Sequence, residues 1–176
     1  FSIMRTAIYG AGSLGTVLGA YIAKAGVQVD LINRNKAHIA ALKEKGAHNI
    51  NLVTPTHYVP QIANELRKIK NKELKIPVVY NTSSYENIDT IKLMNGLVDI
   101  YLADLKYYDS ELGEKYSNCK DYFKYATKAI DEMFHQVGEC KFENDLITRG
   151  LIVRILIIPG HADDACKLVE YLYNTY

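Results

Sequence analysis

The feature that most constrains this chain is a short apolar stretch, residues 6–9 (TAIY), running directly into Gly10-Ala11-Gly12-Ser13-Leu14-Gly15. An apolar run, three glycines in this spacing and a following stretch rich in small residues, 13–25, fit a strand, a tight turn and a helix. In such a unit the first glycine permits the turn and the second lets backbone approach a diphosphate. The third lets the helix lie close to the strand. The phosphates would sit at the helix N-terminus, where unpaired N–H groups and the helix dipole favour negative charge.

The same alternation continues along the chain. Residues 27–32 (VQVDLI) predict a second strand and residues 37–45 a second helix, which Gly46 ends. Residues 49–53 predict a third strand, stopped by Pro55. Val59, Ile62, Leu66 and Ile69 then mark one helical face at spacings of three and four. Residues 76–80 predict a fourth strand, 88–94 a short helix and 98–105 a fifth strand. After a tyrosine-rich loop, Phe123, Ala126, Ile130, Met133 and Val137 line another helix. Residues 151–158 predict a sixth strand before Pro159-Gly160, and 162–173 a closing helix.

Strands alternating with helices imply right-handed crossovers and a parallel sheet. The expected class is therefore α/β: six βα units, forming either a partial (βα)6 barrel or an open Rossmann-like sheet. Sequential strand order is the simplest expectation. It would leave exposed sheet edges, through which a homodimer could form.

Composition removes several function classes. With 21 Lys and Arg against 20 Asp and Glu the formal net charge is +1, so no global field draws the chain to nucleic acid or to an anionic membrane. No apolar run approaches the ~20 residues that span a bilayer. The opening residues 1–5 lack the pattern of a secretory signal, so the expected location is cytoplasmic. Cys119, Cys140 and Cys166 are each more than twenty residues from the next, whereas zinc and iron–sulfur sites place paired ligands within a few residues. The expectation is three ordinary thiols, no metal site and no Fe–S cluster.

The end of the second strand bears on which nucleotide the glycine loop would hold. NAD-binding loops commonly carry an acid there for the ribose hydroxyls, but this chain has Asn33-Arg34, then Lys36. Asn33 hydrogen-bonds without repelling phosphate, and Arg34 can grip a 2′-phosphate through its fork of donors. The candidate cofactor site is thus Gly10, Gly12, Ser13, Leu14, Gly15, Asn33, Arg34 and Lys36, with NADP(H) preferred over NAD.

Residues from about 4 to 46, MRTAIYGAGSLGTVLGAYIAKAGVQVDLINRNKAHIAALKEKG, resemble the start of a ketopantoate reductase. That resemblance implies a Rossmann βαβα segment in which Gly10, Gly12, Gly15 and Arg34 bind NADPH. The catalytic lysine and glutamate of that family come later, mainly from a helical domain that nothing in this sequence matches. From about residue 47 onward, HNINLVTPTHYVPQI, IPVVYNTSSYE, VDIYLADLKYYD, KYSNCKDYF and RGLIVRILIIPGH resemble the middle of a radical SAM protein of the pyruvate formate-lyase-activating type. That resemblance implies a (βα)4 portion of a partial barrel, and a histidine near Ile155. It also implies a cluster-binding Cys-x-x-x-Cys-x-x-Cys run, which this sequence does not carry.

Two resemblances meeting near residues 46–48 imply one fused domain built from segments 1–46 and 47–176. Each lacks its catalytic complement, so the expectation is an engineered fold chimera without native catalytic activity. It would require no cofactor and bind at most residual NADP(H) or phosphate at the glycine loop. Two alternatives stay open: an NADP-dependent reductase completed by oligomerising, and a small-molecule binding module using the barrel-like edge. Polar residues cluster after the strands at Thr54, His57, Asn81, Ser83, Tyr85, Asp104, Lys106 and His161, where parallel α/β proteins bind ligands. Arg154, a charge inside an apolar strand, could face a ligand carboxylate, but the plainer expectation is an edge residue that blocks further pairing. No spacing places a carboxylate or nucleophile beside His57 and His161, so neither is expected to be catalytic. The 14 tyrosines are expected to hold helices on the sheet with their hydroxyls wet.

Overall fold

A computed structural model describes residues 5–9, 28–32, 48–70 and 74–176. Its framework is a seven-stranded sheet of β1 (Arg5–Tyr9), β2 (Gln28–Ile32), β3 (Ile50–Val53), β4 (Val78–Thr82), β5 (Ile100–Leu105), β6 (Lys141–Glu143) and β7 (Leu146–Ile155). The strand order is β2-β1-β3-β4-β5-β7-β6. All neighbours are parallel except β6 and β7.

The α/β class is as expected and the sheet is the open Rossmann-like one of the two forms left open, but the sequential order is not found. β1 lies between β2 and β3, so the chain steps outward to β2 and then returns past its own start. Such a reversal is a topological switch point, the place at which open parallel sheets bind ligands and which a sheet growing in one direction lacks. β6 was also unforeseen. Its three residues are all exposed, and one apolar residue, Phe142, is too short a pattern to mark a strand. The hairpin is instead set by Asn144 and Asp145, whose φ values of 49° and 63° suit a two-residue turn.

Five helices are described: α1 (Val59–Ile69), α2 (Ile88–Leu93), α3 (Ser110–Ser117), α4 (Tyr122–Val137) and α5 (Ala162–Thr175). The first and fourth match the apolar periodicity, and the second and fifth fall in the ranges expected for helices. α3 falls in the expected tyrosine-rich loop because only Leu112 and Gly113 are buried along it. Caps form it instead: the Asp109 side chain accepts from the N–H of Glu111, and Asn118 closes it with a φ of 52°. Gly113 is required there, since a Cβ would stand 2.5 Å from the carbonyl oxygen of Cys119.

From β3 through β7 every parallel step runs in the same direction, so right-handed crossovers deliver the connecting helices to one face. The core follows. Ile50, Leu52, Val78, Tyr80, Tyr101, Ala103 and Leu105 face Val59, Ile62, Leu66, Ile91, Ala126, Ile130, Met133 and Leu168 in one buried cluster. Alternation places Val53, Asn81, Leu102, Asp104, Ile152 and Arg154 on the opposite face. On that face Val79 and Ile100 are buried, while Val53 is 49% and Ile152 38% exposed. Among the described residues, no helix is long and apolar enough to cross a membrane.

Candidate functional site

The carboxyl edge of the sheet is tied together from inside by side chains. Glu86, in the turn between β4 and α2, is 4% exposed. Its Oε1 accepts from Thr56 Oγ1 at 2.7 Å, Thr82 Oγ1 at 2.6 Å and the Tyr80 hydroxyl at 3.3 Å. Its Oε2 is buried with no hydrogen-bond partner. Thr56 belongs to the single 3-10 turn after β3, so this carboxylate clamps the loop leaving β3 onto β4. The N–H of Thr54 donates to the carbonyl of Asn81 at 2.8 Å and reinforces the clamp.

A second tie joins β4 to β5. The Tyr122 hydroxyl lies 2.8 Å from the Ser83 carbonyl and 2.9 Å from that of Asp104, and accepts from the N–H of Lys106 at 3.1 Å. Asp164 performs the same service for the loop after β5, accepting from the N–H groups of Tyr108 at 3.0 Å and Asp109 at 2.8 Å. Neither Glu86 nor Asp164 stood out in the sequence. The only signal for either is an acid near the start of a helix, and that usually marks an exposed cap.

The buried tyrosines hold helices to the sheet as expected, but their hydroxyls are bonded inside the protein rather than wet. Tyr101 donates to Gln136 Oε1 at 2.7 Å, and Tyr107 pairs with Ser117 Oγ at 2.8 Å. Burial pushes the phenols of Tyr80, Tyr101 and Tyr122 well above the usual tyrosine range. Tyr85 is pushed up to about 12, chiefly because it donates to Asp121. Folding therefore favours the protonated form of the buried Tyr80, Tyr101 and Tyr122 rings, with a sign that follows from linkage: stability is intact below the unfolded-state value of about 10 and falls as pH rises through and beyond it. In an alkaline titration, these phenolates should appear only with loss of the circular dichroism signal, after the exposed tyrosines have ionised. Full ionisation with the fold intact would refute the buried bonding scheme.

On the open face, Arg154 bridges three strands. Its Nε donates to Asp104 Oδ1 at 2.7 Å and its Nη2 to Asn81 Oδ1 at 2.8 Å. Lys106 Nζ lies 3.7 Å from Asp104 Oδ2. The expectation of an edge-blocking charge is thus corrected: the side chain lies back across β5 toward β4. The register pairs Asp104 with Arg154 directly, which makes this reach short. The Arg154 side chain stays 46% exposed, so the pair adds little stability, while part of its guanidinium remains open to an anion.

His57 is exposed after β3, and His161 stands at the start of α5 after β7, three strands away. Cys119, Cys140 and Cys166 are free thiols. Among the described residues no group of three or more His, Cys, Asp or Glu side chains is arranged to hold a metal ion.

The sequence-derived cofactor residues Gly10, Gly12, Ser13, Leu14, Gly15, Asn33, Arg34 and Lys36 lie outside the described residues. Their neighbours in the chain do not. β1 ends at Tyr9, immediately before Gly10, and β2 ends at Ile32, immediately before Asn33. Both segments therefore leave the carboxyl ends of adjacent strands, next to the point where strand order reverses.

Comparison with known proteins agrees with that placement. The family model for ketopantoate reductase PanE/ApbA matches residues 6–94. An uncharacterized protein of Methanocaldococcus jannaschii, MJ0674, is 29% identical over 134 residues, covering 74% of this chain and 34% of its own length. A match of that length passes residue 94 wherever it starts. The chain thus spans about a third of this curated relative. No solved structure matches significantly. With half of its length under one family model, the chain belongs to the ketopantoate reductase PanE/ApbA family.

Proposed function

We propose that this chain is the dinucleotide-binding part of an NADP-dependent reductase of the ketopantoate reductase type, completed by oligomerising. The carrying observation is the order β2-β1-β3, which brings the exits of β1 and β2 side by side at a switch point. The family match and the family's use of NADPH support it. Backbone at Gly10, Gly12, Ser13, Leu14 and Gly15 would take the diphosphate, and Asn33, Arg34 and Lys36 the 2′-phosphate end. The bound dinucleotide supplies hydride. The chain binds and orients it, and Glu86 keeps the loop after β3 in place beside it.

Segments 1–46 and 47–176 act as one fused unit in this reading, because β1 and β3 pair across the boundary. An engineered join at residues 46–48 is not needed for it. The family match runs through that position without a break.

Calorimetric titration tests the proposal. NADPH should bind saturably and more tightly than NADH. Arg34→Ala should weaken NADPH about tenfold or more, the value of a lost charge-assisted contact, and leave NADH little changed. Gly12→Val should block both. A flat titration at millimolar NADPH would refute the assignment.

A second reading is favoured by the Arg154–Asp104–Asn81 bridge. In it, residues from about 47 form a partial-barrel segment of radical SAM type whose open face receives a small carboxylate. Among the described residues the helices that follow β3 stack on one face, which supports this reading, since a barrel wall has its helices outside.

A further inference from the structure

A cleft of about 330 Å³ lies between α4 and the turn that enters α2. Its walls are Tyr85, Glu86, Asn87 and Ile88 on one side and Tyr125 and Lys128 on the other. Three apolar bodies stand open there: Tyr85 is 41%, Tyr125 43% and Ile88 37% exposed. The two rings meet edge to face, with centroids 5.6 Å apart and planes at 75°. Tyr85 is fixed in that pose because its hydroxyl donates to Asp121 at 2.8 Å. A preset corner of two aromatic rings offers a flat surface to a flat ligand at little entropic cost.

The polar groups differ in how far they are already used. Asn87 Oδ1 caps α2 through the N–H of Asp89. Glu86 forms the closed floor, its Oε1 taken by three donors and its Oε2 sealed from solvent. Glu132, one turn beyond Lys128, accepts from Gln136 at 2.8 Å. Lys128 is exposed and has no hydrogen bond or ion pair among the described residues. It is the free charge of the cleft, standing beside apolar walls.

We propose that this cleft binds a small planar aromatic acid, its ring against Tyr85, Tyr125 and Ile88 and its carboxylate on Lys128. The ring requirement comes from the aromatic corner and the charge requirement from the unpaired ammonium. A small neutral ligand would leave Lys128 idle, and an aliphatic acid would leave the rings idle. The size of the cleft, at the lower end of the range for small-molecule sites, limits the ligand to about one or two fused rings.

Indole-3-acetate is a suitable probe, titrated into the isotopically labelled 176-residue chain and followed by amide shifts. Saturable shifts confined to residues 85–88 and 125–128 are expected. Indole alone and acetate alone should each bind at least about fivefold more weakly. Lys128→Ala should weaken indole-3-acetate about fivefold, the worth of one partly exposed ion pair. Tyr125→Ala should do so by a similar factor through lost ring contact. Both positions are exposed on a helix, where alanine is well tolerated, so the fold survives either change. No saturable shift at these residues up to about 10 mM probe, or an affinity unmoved by both substitutions, would overturn the proposal.

Discussion

Replacing Glu86 with alanine should lower the melting temperature by roughly 6–12 °C, corresponding to about 3 kcal/mol in a chain of this size. Removing a buried carboxylate is not destabilising in itself, because desolvation of the charge is relieved. The loss arises from what remains. The hydroxyls of Thr56, Thr82 and Tyr80 all donate to the same Oε1 and would be left in a site where Tyr80 and Thr82 are almost fully enclosed. An orphaned buried donor costs about 1–3 kcal/mol, and the two enclosed ones, with the half-buried Thr56 beside them, outweigh the desolvation relief. Glu86→Gln keeps an acceptor for the same donors and should lose less than half as much. A Glu86→Ala protein melting within about 2 °C of the parent would mean that the carboxylate does not anchor the loop after β3. Because that loop flanks the proposed dinucleotide crevice, the same substitution should weaken NADPH binding even at temperatures where the protein stays folded.

The α/β class was legible because its causes are local. The run from Val59 through Ile62 and Leu66 fixes α1, and Ala126, Ile130, Met133 and Val137 fix α4. Strand order was not, since residues 27–32 read as a strand equally well on either side of β1. Only the return of β3 to β1, seen in the pairing of Ile8 with Asn51, decides it. The site divides in the same way. The glycine loop announces phosphate chemistry through a spacing that only a strand–turn–helix unit requires. Arg154 was visible as an anomaly, a cation in an apolar run, but its direction depended on a register that pairs it with Asp104. Glu86 was invisible: its role is made by Thr56, thirty positions away in the chain, and by two residues of β4. No local pattern in SSYEN distinguishes a buried clamp from an exposed cap.

The unequal faces of the sheet lead to the last expectation, a contrast between two isoleucines. Ile130 on α4 is fully buried, and Ile152 on β7 is 38% exposed on the side away from the core cluster. Ile130→Ala should lower stability by about 2–5 kcal/mol, because transfer energy is lost and a cavity opens in the core cluster that close packing cannot collapse. Ile152→Ala should cost about 1 kcal/mol or less, since much of that side chain already meets water and no cavity forms. Urea midpoints at unchanged slope measure both, and an unchanged slope shows that the same surface unfolds in each variant. The ratio carries the argument more than either value. Right-handed crossovers from β3 to β7 place the connecting helices on one face, so Ile152, on the other face and partly exposed, should behave as a surface residue. Comparable losses at the two positions would mean that the open face is covered in solution. The Arg154–Asp104–Asn81 bridge would then lie beneath whatever covers it, and its anion site would be closed.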